Sequence, residues 1–213
     1  TPTPSASPPL AMSFSTSTLL CPRSRVGGLL WLARAARPAV SFATNALARV
    51  AHDPGDVHWR LSSHLLRYVA THPASVVTYT HTGCPLYCYV DSDYLPDYGS
   101  VDSNRRSTTG YAAVLAGACI HHRSVRQMRV ATSTAGAEYV AAFDAARSVL
   151  HLRRQLHFMG LPQDAPTVLL EDNASCIKMA HAPASAPIDN QLSCTAICAV
   201  IVHEHSRPAA PLV

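Results

Sequence analysis

Apolar and polar positions alternate with two different periods along this chain. From Val26 to Val69 the period is helical. Val26, Leu29, Leu30, Leu32 and Ala33 form one stripe; Phe42, Ala43, Ala46, Leu47 and Val50 form a second. Trp59, Leu61, Leu65, Leu66, Tyr68 and Val69 form a third. Arg37-Pro38 separates the first two, with Pro38 suited to a first helical turn, and His52-Asp53-Pro54-Gly55 reads as a turn before the third. Shorter runs follow. Val76 to Thr80, Leu86 to Val90, Thr109 to Leu115, Ala118 to His122, Arg129 to Thr132 and Thr167 to Leu170 predict strands. The third and fourth form a hairpin across Ala116-Gly117. Ala135 to Phe158 predicts a long helix with Tyr139, Ala142, Phe143, Ala146, Val149 and Leu150 on one face, stopped by Gly160 and Pro162. Ala174 to His181 predicts a short helix. Residues 182–191 predict a loop rich in Pro and Ala, and Leu192 to Val202 fits either type.

Strands, a helix, a strand and further helices make an α/β pattern. It divides the chain into a disordered leader rich in Pro, Ser and Thr at 1–24 and a helical segment at 25–80. A sheet-containing domain at 81–206 and a short tail at 207–213 follow. Arg23, Arg25, Arg34, Arg37 and Arg49 accumulate with no acid between Met12 and Asp53, which also suits an organelle transit peptide.

Composition narrows the classes. Apolar residues are 48% of the 213, enough for a sizeable core, and the net charge of +4 permits nucleic-acid contact without requiring it. Seven cysteines at irregular spacing read as reduced thiols of an intracellular protein, in the cytoplasm or nucleus. No run is long enough to span a membrane, so no membrane partner is expected.

The candidate chemistry begins at Asp91, at the end of a predicted strand, with Arg105 and Arg106 in the polar loop that follows. A carboxylate so placed suits a metal-dependent phosphodiester site. The spacings of Cys84 with Cys88, and of Cys194 with Cys198, His203 and His205, differ from those of common zinc modules. Buried thiols are expected there. Arg105, Arg106 and Arg123, with Arg153 and Arg154, are candidates for a surface that follows a phosphate backbone.

The wording of four blocks adds to this. Y-V-D-S-D-Y at 89–94 is followed by R-R-S-T-T-G-Y at 105–111, V-A-T-S-T-A-G-A-E-Y at 130–139 and L-L-E-D-N-A-S-C-I at 169–177. With the helical block at 26–68, these resemble copia-type LTR retrotransposon polyproteins, in the ribonuclease H domain and the segment joining it to the polymerase. The resemblance runs from about Arg23 to His205. It implies a three-layer ribonuclease H-like fold with a mixed five-stranded sheet. It implies hydrolysis of the RNA strand of an RNA–DNA hybrid, with Mg²⁺ as cofactor. The polymerase's paired-aspartate motif is not present, so no polymerase activity is expected.

The resemblance also implies four acidic metal ligands. Asp91 matches the first and Asp172 the third. The family's S-T-E-A-E-Y puts Gly136 at the second, and Glu138 stands two positions on. At 100° per residue that is about 200° round a helix, so Glu138 is expected to face solvent. The fourth falls on Ala196 or Ser193, neither acidic, with Asp189 the nearest carboxylate. With two of four ligands missing, the expectation is a degenerate site with little nuclease activity: a nucleic-acid-binding or purely structural relic.

Overall fold

A computed structural model describes residues 22–73, 77–80, 83–94, 106–181 and 199–203. The leader before residue 22, the tail at 207–213 and the loop at 182–191 lie outside the described residues. So do Arg105, Asp189, Ser193, Cys194, Ala196, Cys198 and His205.

The helical segment comprises α1 (Pro22–Ala35), a 3-10 turn (Pro38–Val40), α2 (Ser41–Arg49) and α3 (Asp56–Thr71). Pro38 starts the 3-10 turn because its fixed φ and missing N–H suit a first turn. The three stripes meet in a core of Val26, Leu29, Ala33, Val40, Leu47 and Leu65. Arg25 lies 4.8 Å over the Trp59 ring and donates to Ser63 Oγ at 3.2 Å, tying α1 to α3. The segment also meets the sheet. α2 packs beside β3, and Arg49, at the end of α2, donates to Thr108 Oγ1 at 3.2 Å.

The sheet has five strands: β1 (Tyr87–Asp93), β2 (Thr108–Leu115), β3 (Ala118–Arg126), β4 (Thr167–Glu171) and β5 (Ala199–His203). Their order is β3-β2-β1-β4-β5. β1, β2 and β3 are antiparallel neighbours, while β4 and β5 run parallel to β1. This is a mixed α/β sheet with ribonuclease H-like topology. The β2–β3 turn holds Ala116 at φ 54° and Gly117 at φ 76°, the two positive values that a type I′ hairpin needs.

Leu86, just before β1, alternates with Cys88 and Val90 on it, and all three share the core with α4 (Thr134–Phe158). They share a core with Tyr111, Ala113, Leu169, Ile201 and Cys176 of α5 (Ala174–His181). Leu169 is fully buried there, and a leucine-sized cavity costs about 2–5 kcal/mol. Burial pushes the Cys88 and Cys176 thiols up to about 12, so both sit in the core as neutral thiols.

α4 stops in a Schellman turn. The Gly160 N–H reaches the His157 carbonyl at 3.0 Å and the Leu161 N–H reaches the Leu156 carbonyl at 2.8 Å, with Gly160 at φ 77°.

Two expected strands do not form. Residues 77–80 make one backbone bond to the hairpin turn, Thr80 N–H to the Ala116 carbonyl at 2.8 Å, too little for a ladder. Arg129 to Thr132 is irregular. β3 instead runs on to Arg126, and Gln127 holds the loop by donating to the Ala137 carbonyl and to Thr109 Oγ1. The ambiguous segment ending at Val202 yields β5 at 199–203, tied to α5 by a 3.0 Å contact between His181 Nε2 and the Ile201 carbonyl. The short helix at 174–181 forms as expected.

Candidate metal centre

The site lies where β1 and β4 end beside the first turns of α4. Val90 and Tyr111 sit opposite one another in the ladder, and the Tyr111 hydroxyl bonds Ser148 of α4 at 2.6 Å, so both point toward the helix. Asp91 follows Val90 and is exposed near the end of the strand, within reach of the first turns of α4. The Ser92 N–H donates to Asp91 Oδ1 at 2.8 Å and fixes the carboxylate.

Glu171, Asp172 and Asn173 divide three tasks. Glu171 ends β4, is 1% exposed, and accepts the Asn173 N–H at 3.1 Å. Asn173 caps α5, its Oδ1 accepting the N–H groups of Ser175 and Cys176 at 3.0 Å each. Asp172, between a strand end and a helix cap, is left exposed.

α4 supplies the third acid. Carboxylate oxygens of Asp91, Glu138 and Asp172 all lie within 4.8 Å of one another. Glu138 is 7% exposed, and its Oε2 is buried with no hydrogen-bond partner. Burial, then the charges of Glu171, Asp91 and Asp172, pushes its pKa up to about 8. Burial, with Asp172 and Asp91 adding to it, raises Glu171 to about 7 against the opposing Asn173 N–H.

This overturns the expected placement of Glu138 in solvent. Position 136 has another role. The Gly136 N–H donates to Ser133 Oγ at 3.1 Å, so Ser133 is the N-cap of α4 and Gly136 its third helical residue. An acid at that position completes a capping box. Positions 136 and 138 do stand about 200° apart, and it is Glu138 that lies on the sheet-facing side. The buried face of α4 is Ala137, Glu138, Ala141, Ala142, Ala145, Ala146 and Val149. Glu138, Ala142 and Ala146 form one row at four-residue spacing. The row was visible in the sequence, but the bulk of Tyr139 and Phe143 drew the predicted stripe aside.

The structure thus brings Asp91 and Asp172 together and adds Glu138. The predicted basic residues separate. Arg106 donates to the Met128 carbonyl at 3.5 Å, whereas Arg123 lines a cleft beside α4. Arg153 is spent on structure, bonding the carbonyls of Gln163 and Ala165 and Thr167 Oγ1. Among the described residues, no helix is long and apolar enough to cross a membrane.

The donor set fits a hard divalent cation such as Mg²⁺ or Mn²⁺. All three groups offer oxygen, and the orphaned Glu138 oxygen is one that a cation would satisfy.

No protein-family model matches the chain. It is 30% identical over 183 residues to the retrovirus-related Pol polyprotein from transposon TNT 1-94 of Nicotiana tabacum, covering 79% of this chain and 14% of that polyprotein. It is 35% identical over 130 residues to secreted RxLR effector protein 161 of Plasmopara viticola, covering 61% of this chain and 89% of that protein. Among solved structures it is similar to LC11-RNase H1, isolated from compost, at 14% identity and TM-score 0.41, over 56% of this chain and 83% of that one. The chain therefore spans about a seventh of the transposon polyprotein's length. With the ordered blocks, the sheet order and the transposon polyproteins agreeing, the chain belongs to the retrovirus-related Pol polyproteins of copia-type transposons, as a ribonuclease H-like segment.

Proposed function

We propose that the chain holds a divalent cation on Asp91, Glu138 and Asp172 and hydrolyses the RNA strand of an RNA–DNA hybrid. The observation that carries this is the convergence of the three carboxylates within 4.8 Å, from two strand ends and one helix. The expectation of a dead site rested partly on Gly136, and Glu138 removes that ground. The fourth ligand position, at Ala196 or Ser193, carries no acid, so activity below that of a four-carboxylate site is the expected outcome.

The chain's own residues have distinct tasks. Asp91 is pinned by the Ser92 N–H on one oxygen, which leaves the carboxylate exposed to the site. Asp172 is held at its height by the Asn173 cap. Glu138 closes the site from the helix side, and a cation held there would offset the burial and the neighbouring negative charges that raise its pKa, favouring its carboxylate form. A bound divalent cation supplies charge stabilisation at the scissile phosphate and activation of water.

The decisive assay offers a labelled RNA–DNA hybrid to the chain in Mg²⁺ and in Mn²⁺, beside Asp91→Asn and Glu138→Gln. Cleavage by the native chain that both substitutions abolish supports the proposal. Cation binding without cleavage favours a non-catalytic nucleic-acid-binding relic, a reading motivated by the missing fourth acid. Cleavage that persists in Glu138→Gln would sink the three-carboxylate site.

A further inference from the structure

On the face of the sheet that carries α4, β3 and the middle of α4 leave a cleft of about 520 Å³. Two periodicities build its walls. His121 and Arg123 lie two residues apart on β3, opposite Ala113 and Tyr111, and so share the helix-facing side. Asp144, Arg147, Ser148 and His151 recur three and four residues apart on α4 and face them. The Tyr111–Ser148 hydrogen bond at 2.6 Å joins the walls, and His121 Nε2 stands 3.4 Å from the same tyrosine hydroxyl.

Four side chains able to carry positive charge thus surround one acid, Asp144. Two of them are permanently charged arginines whose planar forks match phosphate oxygens. Arg147 is restrained by lying 5.7 Å from the Phe143 ring. Burial, then Arg123 and His151, holds His121 below the ordinary imidazole value, so the positive field of the cleft already opposes one more proton.

We propose that this cleft is a second binding site, apart from the carboxylates, for the phosphodiester backbone of a nucleic-acid strand. It deepens, and rests on, the reading of the chain as acting on an RNA–DNA hybrid. Arg123 lies across β2 from Val90, the neighbour of Asp91, and two strand spacings are about 10 Å. A strand engaged at the carboxylates reaches the cleft within a few nucleotides. The cleft then adds affinity and sets which way the duplex lies.

The test is binding of a fluorescently labelled RNA–DNA hybrid to the full chain in EDTA, across a salt series. Arg123→Ser with Arg147→Ser is expected to weaken binding about tenfold at low salt and to lower the slope of log affinity against log salt by about two, near 0.9 per phosphate contact. Asp144→Asn is expected to tighten binding. The control is Arg60→Ser with Arg67→Ser, which removes the same charge from exposed positions on α3. Melting curves check that each variant folds. Native affinity and slope in the cleft variant, or an equal loss in the control, would overturn the proposal. Displacement of the hybrid by stoichiometric inorganic phosphate would also overturn it, as that marks a small-anion pocket. The pattern is read without cleavage, so a chain that binds in this way but does not cut overturns only the catalytic reading.

Discussion

The amide of Gly136 donates to Ser133 Oγ at 3.1 Å, which makes position 136 the third residue of α4, two before Glu138. Gly136→Glu is therefore expected to stabilise the fold. Glycine costs a helix about 0.8–1.0 kcal/mol relative to alanine, and a glutamate there closes the capping box. A Cβ would meet Ser133 Oγ at 3.2 Å, so a small shift takes part of the gain. The net expectation is about 0.5–1 kcal/mol in urea denaturation, with Mn²⁺ affinity unchanged. A large rise in Mn²⁺ affinity would return position 136 to the metal site.

Glu138 and Glu171 predict how stability depends on pH. Both carboxyls titrate higher in the folded chain than the ordinary 4.5, at about 8 and about 7. The folded state keeps protons that the unfolded chain has released, so their contribution falls as pH rises through that window. His121 and His122 act oppositely. Burial holds both below 6.5, so their contribution grows as pH rises to that value. Between about pH 6.5 and about pH 8 the carboxyls act without that opposition, and the melting temperature in EDTA is expected to fall. Glu138→Gln should flatten much of that decline, and saturating Mg²⁺ should do so in the native chain. A melting temperature that rises across the window in EDTA would refute the assignment.

Much of the fold was legible because strong local signals agreed with the final packing. Leu86, Cys88 and Val90 alternate as a half-covered strand must, Ala116-Gly117 marks the hairpin, and Gly160 stops α4 within one residue of the expected end. The ends of strands were less legible. β3 extends to Arg126 because its partner is β2, not because its own residues demand it, and 77–80 carry strand-forming residues that no described strand pairs with in a ladder. Asp91 stands out because it ends a strand, and Asp172 because its block, L-L-E-D-N-A-S-C-I, resembles the family's. Glu138 was missed because its helix buries mainly alanines, whose small side chains barely mark a face. Tertiary contact, not hydrophobicity, decides which side of α4 meets the sheet.

Ala116 is the described non-glycine residue with positive φ, at 54°. Its Cβ pays for that conformation, and the favoured pair for this turn is Asn-Gly. Ala116→Asn is expected to raise stability by about 0.5–1 kcal/mol, seen as a higher urea midpoint with unchanged slope. The site lies at the far end of β1 and β2 from this turn, so cation affinity should not change. An unchanged or lower midpoint would mean that the turn does not hold its type I′ shape in solution.

Asn173 couples stability to the site, and its removal should affect both. Its Oδ1 takes the N–H groups of Ser175 and Cys176, and its own N–H goes to Glu171. Asn173→Ala keeps the backbone donor to Glu171 but uncaps α5, at about 0.5–2 kcal/mol. Asp172 is the adjacent residue, so freeing the first turn of α5 loosens the loop that sets its height. Mn²⁺ affinity should therefore drop, although residue 173 itself is not expected to touch the ion. Asn173→Ser separates the two effects, since serine also caps and should recover most of both losses. Calorimetric titration with Mn²⁺, alongside urea melts of the two variants, measures them together. Loss of stability with native Mn²⁺ affinity in Asn173→Ala would show that Asp172 is positioned by β4 alone.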